Sequence, residues 1–235
     1  MGFKEVASQV VEAVFPRYCL NCNCYGSWFC HSCLSKISPY NNSSCWQCRQ
    51  GFVGGQTCLE CNKLTSVKKF VSAVSYETRE ATSLVHNLKY GGVMELAQPC
   101  GLACWEAWQD SGCLLRSWLV VPIPLHKVKE VSRGFNQSEL IAKEIVRHSC
   151  YEIDADLLVR AKATQTQAKL SKDERQLNVI GVFKLVKPDR VLGRSILLID
   201  DVATTGETLS EAAKVLMAGG AAYVSALVYA RGDFV

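Results

Sequence analysis

Two adjacent carboxylates and the turn that follows them offer the clearest chemistry in the sequence. Asp200 and Asp201 end an apolar run that begins at Ile196, and a short turn rich in hydroxyl groups occupies 203–208. The apolar run predicts a buried parallel strand, and the spacing of apolar residues over 209–217 predicts a helix. A turn between such a strand and a helix directs N–H groups and the positive helix end to one point. We therefore expect it to bind a phosphate.

The acid pair restricts the identity of the ligand, because two carboxylates would repel a phosphate alone. A ligand with both a phosphate and a vicinal diol suits both groups. The carboxylates would accept hydrogen bonds from the diol, directly or through Mg²⁺, while the turn holds the phosphate. Ribose 5-phosphate is such a ligand. The sequence has neither the Gly-rich Lys-Ser/Thr loop of P-loop NTPases nor the Gly-x-Gly-x-x-Gly fingerprint of dinucleotide-binding domains.

Paired cysteines near the start of the chain predict a second kind of site. Eight of the 13 cysteines form four Cys-x-x-Cys pairs, and two such pairs can complete a tetrahedral Zn²⁺ site with four thiolates. We expect two structural zinc sites, grouped either sequentially or in a cross-braced pattern. Iron–sulfur ligation is a weaker alternative, because the usual clustered spacing is absent. The predicted ligands are Cys19, Cys22, Cys30, Cys33, Cys45, Cys48, Cys58 and Cys61.

The remaining cysteines lie outside these pairs. Cys24 is an extra thiol in the first paired region, and we leave it out of the predicted ligand set. Cys100 and Cys104 have the i, i+4 spacing of a buried helix face, which predicts packing rather than chemistry. Cys113 and Cys150 are isolated and receive no role.

Composition limits the classes of protein to which the chain can belong. Its 235 residues leave room for one substantial and one small domain, and no apolar run approaches the length of a membrane span. The net charge of +4 is too small to argue for nucleic-acid binding by itself. The first 18 residues predict an amphipathic helix without a signal-peptide core, so the paired cysteines favour metal over disulfides. We expect a cytoplasmic protein with domains at 1–65 and 66–235.

From Phe70 onward, predicted strands alternate with predicted helices, which indicates an α/β domain with a parallel sheet. The predicted strands are 70–76, 119–123, 157–160, 183–186, the run from Ile196, and 223–229. The predicted helices are 82–89, 93–108, 138–147 and 209–217.

Several local signals refine this pattern. Pro99 should kink or restart the second helix, and Asn136 or Ser138 should cap the third. A basic turn is expected at 125–129. The long polar stretch 163–179 is expected to be a functional loop, because long structureless segments in compact domains usually carry function.

The segment 196–208 resembles the phosphoribosyl pyrophosphate (PRPP) signature of type I phosphoribosyltransferases, in which the acid pair contacts the ribose hydroxyls and the loop contacts the 5-phosphate. With the cysteine pairs and four further motifs, the chain over 19–231 resembles the ComF family, which includes ComFC and GntX-like proteins implicated in natural competence and DNA utilisation. The resemblance implies a type I phosphoribosyltransferase fold preceded by a double zinc ribbon. The motifs are Leu84-Val-His-Asn-Leu-Lys-Tyr90, Val121-Pro-Ile-Pro-Leu-His126, Arg133-Gly-Phe-Asn-Gln137, and Thr166-Gln-x-x-Leu170 with Arg175 and Asn178.

The resemblance also implies a role for each matching residue. In a phosphoribosyltransferase the bond from ribose C1 to pyrophosphate breaks early, so negative charge grows on the leaving group and must be stabilised by cations and backbone donors. The implied catalytic residues are Asp200, Asp201, Arg133 and Arg175. The implied PRPP- and phosphate-binding residues are Ala203, Thr204, Thr205, Gly206, Glu207, Thr208, His126, Lys127 and Lys129.

The polar stretch resembles the flexible loop that closes over PRPP and excludes water. Its candidate residues are Gln167, Lys169 and Asn178. Arg160 is a further cationic candidate. ComF proteins commonly have Arg where this chain has Lys129, so the charge is kept and the bidentate geometry is lost. His86 and Lys89 share one helical face, where a structural and a functional role are equally supported.

Three functions fit these residues. We favour a PRPP-binding factor in natural competence or DNA utilisation, and the sequence leaves open whether it catalyses a reaction. The alternatives are an enzyme transferring phosphoribose from PRPP to a base in nucleotide salvage, and a module that binds single-stranded DNA. Expected partners are PRPP or a related ribose phosphate, single-stranded DNA and proteins of the competence machinery. Expected cofactors are two Zn²⁺ and, with PRPP, Mg²⁺.

Aromatic residues near the cysteine pairs bear on the DNA hypothesis. They could stack on bases, but a small domain with little other apolar material needs them as its core, and we favour the core. These residues are Trp28, Phe29, Trp46 and Phe52.

Overall fold

A five-stranded parallel sheet forms the centre of the protein in a computed structural model, which describes residues 16–51, 53–112, 117–161 and 181–232. The strands of the described residues are β1 (Lys69–Ser75), β2 (Leu119–Pro122), β3 (Glu152–Ile153), β4 (Leu158–Arg160), β5 (Phe183–Leu185), β6 (Ser195–Ala203) and β7 (Tyr223–Arg231). The sheet has the order β1-β7-β6-β2-β3, and all neighbouring strands run parallel. The predicted α/β domain with a parallel sheet is confirmed.

Helices cover both faces of this sheet. They are α1 (His31–Leu34), α2 (Leu59–Asn62), α3 (Arg79–Tyr90), α4 (Ala97–Asp110), α5 (Lys127–Arg133), α6 (Gln137–Arg147) and α7 (Glu207–Ala218), with 3₁₀ turns at Val53–Gly55, Met94–Leu96 and Pro188–Arg190. Along β6, Leu197 and Ile199 pack with α3, α4 and α6, while Ile196 and Leu198 pack with α7. The strand is apolar throughout because both of its faces are buried.

Local signals in the sequence account for the helix boundaries. The Thr78 hydroxyl accepts a hydrogen bond from the Ala81 N–H (3.2 Å) at the start of α3, and Asn136 Oδ1 accepts one from the Ser138 N–H (3.1 Å) at the start of α6. Asn136 is therefore the cap of this helix. Pro99 lies in the first turn of α4, just after the 3₁₀ turn, where its missing N–H costs no helical hydrogen bond. The predicted restart at Pro99 is confirmed.

Two predictions about the fold are wrong: the sheet to which β4 and β5 belong, and the basic turn at 125–129. The strands β4 and β5 pair antiparallel with each other in a separate two-stranded sheet and do not join the parallel sheet. Strands of three residues carry too little periodicity to reveal their partners. The segment predicted as a basic turn at 125–129 instead runs into α5, which begins after His126 and ends at Gly134 with a φ of +84°. The two-residue strand β3 was not predicted.

The cysteine-rich segment before β1 packs directly on the sheet domain. Phe29 joins the core under α3 and α4, and Trp46 joins the core on the α7 side. Antiparallel bridges from Pro39 to Val74 and from Gln56 to Lys69 hold the segment along β1. Phe29 and Trp46 thus serve as core, as we favoured. Phe52 lies outside the described residues, and the boundary at 65/66 stays a prediction.

The helix predicted for the start of the chain falls mainly on 1–15, outside the described residues. No helix in the described part of the chain is both long enough and apolar enough to cross a membrane.

Candidate functional site

The acid pair lies at the carboxyl end of β6, the middle strand of the sheet. Asp200 Oδ1 accepts hydrogen bonds from Ser138 Oγ (2.9 Å) and from the backbone N–H of Asp201 (2.9 Å). Asp201 Oδ1 accepts one from the Val202 N–H (2.6 Å), and Asp201 Oδ2 lies 3.0 Å from Lys89 Nζ. Among the described residues, none donates to Asp200 Oδ2. This oxygen is the one best placed to receive a ligand.

Lys89 gives the pair its nearest positive charge. It lies in the last turn of α3 and is largely buried beside Asp201. Burial lowers the pKa of Lys89, but the charge and hydrogen bond of Asp201, together with the charge of Asp200, raise it overall. Lys89 is therefore held as an ammonium group. One ammonium cannot balance two carboxylates, so the site retains an excess of negative charge when both are ionised.

This excess of negative charge contributes to the raised pKa of Asp200. Burial, followed by the charge of Asp201, raises the pKa of Asp200 to about 7, although Lys89 and the hydrogen bond from Ser138 act in the opposite direction. Asp200 therefore gains and loses a proton near neutral pH. A ligand that donates hydrogen bonds or brings positive charge would favour the ionised form.

The loop after the pair has the geometry of an anion site. Gly206 precedes α7 with a φ of +77°, a conformation that favours glycine. The Ser210 N–H donates to the Gly206 carbonyl (2.9 Å) as α7 begins, so the loop lies at the positive end of this helix. Such a helix end can meet a phosphate. The predicted loop residues follow one another along this turn: Ala203, Thr204, Thr205, Gly206, Glu207 and Thr208.

Glu207 is an exception within the predicted loop. Its Oε2 is buried and has no hydrogen-bond partner among the described residues. A carboxylate would repel a bound phosphate, so only the backbone N–H of Glu207 suits the predicted role.

Positive side chains from α3, α5 and β4 converge on the acid pair. Burial lowers the pKa of Lys129, and the nearby charges of Arg160, Arg133 and Lys89 lower it further. Burial also lowers the pKa of Arg160, which the charge of Asp200 partly offsets. These four cations are therefore near enough to repel one another. An anion with several charges would relieve that repulsion, and pyrophosphate is such an anion.

The motif 133–137 connects this cation cluster to the acid pair. The Asn136 side chain donates to the Ile123 carbonyl (3.0 Å), which fixes the start of α6 against the end of β2. Gln137 accepts a hydrogen bond from the Arg133 guanidinium, which also lies 5.1 Å from the centre of the Tyr90 ring. Ser138, the next residue, contacts Asp200. The local fold of residues 133–138 thus orients both the Arg133 guanidinium and the Asp200 carboxylate.

Two predicted pyrophosphate ligands have less direct positions. His126 Nδ1 accepts a hydrogen bond from the Val128 N–H (3.3 Å), so the imidazole caps α5. Lys127 is exposed at the first position of that helix. Their binding roles stay predictions. The remaining candidates lie outside the described residues: Gln167, Lys169, Arg175 and Asn178.

Trp46 forms the floor of the phosphate loop. A Cβ atom added to Gly206 would lie 2.6 Å from the Trp46 ring. The ring stacks on Phe70 (5.5 Å between centroids), and its Nε1 donates to Thr57 Oγ1 (2.9 Å). The Trp46 carbonyl accepts a hydrogen bond from Arg231 (2.6 Å) at the end of β7. The tryptophan lies between Cys45 and Cys48, so the second cysteine group supports the loop directly.

The cysteine pairs are grouped sequentially. The Sγ atoms of the second group all lie within 4.8 Å of one another, with 3.7 Å between those of Cys48 and Cys58. In the first group, the Sγ atoms of Cys22 and Cys30 are 3.5 Å apart. A tetrahedral zinc with Zn–S bonds of about 2.3 Å has sulfurs about 3.8 Å apart, so both groups fit the ion. The second group contains Cys45, Cys48, Cys58 and Cys61.

In the first group, the four Sγ atoms that all lie within 4.8 Å of one another are those of Cys19, Cys22, Cys24 and Cys30, so Cys24 stands where Cys33 was predicted. Cys24 Sγ lies within 4.8 Å of those of Cys19, Cys22 and Cys30, and Cys33 Sγ is 3.8 Å from that of Cys19. Leaving Cys24 out of the thiol group was therefore wrong. Sequence reasoning missed it because Cys24 breaks the Cys-x-x-Cys spacing.

The sequence has clear relatives among known proteins, although no family model matches it. It is 30% identical over 220 residues to the DNA utilization protein YhgH of Escherichia coli strain K12, a match that covers 89% of this chain and 94% of that protein. It is 35% identical over 98 residues to competence protein F of Haemophilus influenzae, covering 41% and 43% of the two chains. It is 39% identical over 117 residues to competence protein ComFC of Bacillus subtilis, covering 49% and 45%. The chain belongs to the ComF family.

The predicted membership of the ComF family is thus confirmed. Among solved structures, an allosteric regulatory enzyme of purine biosynthesis aligns at 15% identity and a TM-score of 0.38. The alignment covers 57% of this chain and 26% of the enzyme's chain. That score is too low to support an argument.

Sequence reasoning on the ComF protein missed two residues of the site. Ser138 was considered only as a cap, although its position directly after the motif 133–137 was a usable signal. Trp46 was assigned to a core, but no local pattern could show that this core includes the phosphate loop. Lys89 had an open role, and its ion pair with Asp201 now places it in the site.

Replacement of Gly206 by alanine tests the contact with Trp46. We expect Gly206→Ala to lower the free energy of unfolding by roughly 2–5 kcal/mol, because it adds left-handed backbone strain to a clash with a buried ring. Urea unfolding measures this loss. Gly193→Ala is the matched control, since Gly193 has a φ of +68° and nothing within 4 Å of an added Cβ. Equal losses for the two variants would contradict the supporting contact.

The raised pKa of Asp200 predicts a pH-dependent stability. A carboxyl with a pKa of about 7 in the folded protein and 3.8 as its ordinary value keeps its proton longer when folded, so its contribution to stability falls as pH rises between these values. We expect the urea midpoint of Asp200→Asn, relative to that of the wild type, to rise as pH increases from about 5 to about 8. A constant difference between the two proteins over this range would contradict the raised pKa.

Proposed function

We propose that this ComF protein binds PRPP, or a related ribose phosphate, together with Mg²⁺, and that it acts in DNA uptake or utilisation. One observation carries the ligand assignment: the buried acid pair on β6 is followed directly by a loop suited to phosphate and has cations from α3, α5 and β4 close by. PRPP has a phosphate, a diol and a pyrophosphate in the same order.

The acid pair would hold the ribose ring. Asp200 Oδ2 can accept a hydrogen bond from one ribose hydroxyl, while Asp201 forms an ion pair with Lys89. Ser138 fixes the other oxygen of Asp200 and so sets the direction of the carboxylate. Carboxylates accept hydrogen bonds from hydroxyl groups, which the ribose diol offers.

The cation cluster would hold the pyrophosphate. Lys129, Arg133 and Arg160 would bind its oxygens and balance the negative charge that grows there if the bond to ribose C1 breaks. Arg133 is kept in place by Tyr90 and Gln137. Lys89 remains with Asp201, so the cluster can neutralise an anion without losing the charge balance of the acid pair.

Magnesium fits the same acids. Mg²⁺ prefers oxygen ligands and usually binds one or two carboxylates together with phosphate groups, which would be supplied by Asp200, Asp201 and the pyrophosphate. When bound, the ion would supply further charge neutralisation at the leaving group.

The two thiol groups are proposed to hold structural Zn²⁺. The sulfur spacing supports this assignment, and so do the N–H groups directed at the sulfurs. Burial acts against ionisation of Cys19 and Cys45, yet hydrogen bonds from backbone N–H groups lower the pKa of each thiol to about 6. Burial and the neighbouring thiols raise the pKa of Cys61 to about 12. At Cys33 the hydrogen bond from Asn21 lowers the pKa, but burial and the neighbouring thiols raise it overall to about 12. Thiolates at neutral pH are the form that binds zinc.

The biological role rests on the relatives, whose names refer to DNA utilization and competence. A cytoplasmic location and partners in the competence machinery accompany this proposal. The alternative function is phosphoribosyl transfer to a base. Pyrophosphate release from PRPP with one member of a panel of bases would support the alternative, while binding without release would support a PRPP-responsive factor.

Calorimetric titration with Mg²⁺ and PRPP tests the ligand assignment. We expect the wild type to bind and Asp200→Asn and Asp201→Asn to bind about tenfold or more weakly, since each loses a charge-assisted hydrogen bond of about 1.5–3 kcal/mol. Asp156→Asn is the control, because its side chain is 88% exposed and outside the site. An absence of binding by the folded wild type would refute the assignment, and unchanged binding by both variants would refute the role of the acids.

Single-stranded DNA binding is a second function that one observation favours. Tyr18 and Tyr25 beside the first thiol group are 45% and 64% exposed, with rings 5.9 Å apart, and could stack on bases. We expect Tyr25→Ala to weaken binding of an oligonucleotide by roughly fivefold or more, from a stacking energy of about 1–3 kcal/mol per base. Fluorescence anisotropy at several salt concentrations measures it. Leu64→Ala, at an 82% exposed position, is the control. Equal effects of the two variants would argue against stacking on Tyr25.

A further inference from the structure

The two cysteine-rich units have the same backbone structure. In the first unit, the Cys19 N–H donates to the Cys24 carbonyl (2.8 Å); in the second, the Cys45 N–H donates to the Gln50 carbonyl (2.7 Å). Cys24 and Gln50 each follow their Cys-x-x-Cys pair by two residues. The two positions are therefore equivalent.

Further details support this equivalence. The residues before these positions, Asn23 and Arg49, have φ values of +62° and +64°. In both units, the first sulfur of the unit accepts a hydrogen bond from the N–H of the third paired cysteine, at 3.4 Å and 3.5 Å. The helices α1 and α2 follow at the same place. The units are thus repeats of one fold.

The repeats differ in the number of thiols. The first has Cys24 where the second has Gln50. Cys24 Sγ lies within 4.8 Å of the sulfurs of Cys19, Cys22 and Cys30, while Cys33 Sγ lies 3.8 Å from that of Cys19. Five thiols therefore surround a point where a tetrahedral zinc has four ligand positions.

We propose that Cys24 and Cys33 are alternative fourth ligands of the first zinc site, with Cys19, Cys22 and Cys30 as its constant ligands. This inference rests on the zinc binding proposed above. Cys33 is buried and accepts a hydrogen bond from Asn21 Nδ2 (3.3 Å). Cys24 is exposed to solvent. The site thus has one protected and one accessible fourth ligand.

Exchange between the two ligands is balanced in charge and atoms. The Cys24 thiol loses its proton as its sulfur bonds to zinc, the bond from zinc to Cys33 breaks, and the Cys33 thiolate takes up a proton. Zinc keeps four thiolates throughout. An accessible ligand also gives a competing chelator a route to the metal, so the first site should exchange zinc faster than the second, which lacks a fifth thiol among its described neighbours.

Competition with a chromogenic zinc chelator tests the proposal on the full chain. The wild type should hold two zinc ions. We expect Cys33→Ser to retain both with affinities within about threefold of wild type, because Cys24 replaces the lost thiolate. Cys24→Gln/Cys33→Ser should weaken one site by more than about 100-fold, since loss of even an outer partner of a ligand costs about 10–100-fold.

The second repeat provides matched controls. Cys61→Ser has no spare thiol and should weaken one site as strongly as the double variant does. Adding Gln50→Cys to Cys61→Ser should restore that site. Cobalt substitution gives an independent readout, since the absorption spectrum distinguishes four thiolate ligands from three in each variant.

Each outcome has a distinct meaning. A wild type without zinc would refute the proposed metal sites themselves. A wild type with two zinc ions and a Cys33→Ser variant as weak as Cys61→Ser would overturn the alternative-ligand inference alone. If Cys33→Ser does not fold, the rate of zinc transfer decides: Cys24→Gln should slow transfer from one site at least about threefold, and an unchanged rate would overturn the inference.

Discussion

The packing of Trp46 under Gly206 is the contact on which the arrangement of the whole site depends. The tryptophan belongs to the second cysteine repeat, and the glycine begins the helix that faces the predicted phosphate. Phe70 and Thr57 hold the ring, and Arg231 holds its carbonyl, so the ring cannot move without disturbing the ends of β1 and β7. The cysteine fold and the shape of the loop are therefore coupled mechanically. A metal ion in the second repeat would stabilise the loop through Trp46.

Charge balance is the second constraint on the site. Two adjacent carboxylates at the buried end of β6 are costly together, and the protein offsets them with one ammonium, one hydroxyl and a raised pKa for Asp200. The cation cluster has the opposite imbalance, because the charges of Arg160, Arg133 and Lys89 lower the pKa of Lys129 beyond the effect of burial. Each half of the site is therefore electrostatically incomplete. A ligand with a diol at one end and a multiply charged anion at the other would satisfy both halves, whereas separate small ions would satisfy only one each.

How much the sequence could predict depends on whether the feature is local. The strand, acid pair and loop of 196–208 could be recognised, because all of their geometry follows from one strand–turn–helix unit. The cap at Asn136 was local as well. The cation cluster could be proposed only through resemblance, since it needs α3, α5 and β4 to meet. The partner of β4 and the contact of Trp46 with Gly206 could not be predicted, because residues 46 and 206 are joined by tertiary packing alone.

The two cysteine repeats differ in a way that this packing explains. The residue after the first cysteine is Trp46 in the second repeat, where it is 2% exposed, and Leu20 in the first, where it is 37% exposed. A change of metal ligand in the second repeat would shift Trp46 and the phosphate loop with it. The first repeat packs against α3 through Phe29 and through the hydrogen bond from Asn21 to Glu80. The extra thiol therefore stands in the repeat that does not supply the tryptophan under the loop 203–208.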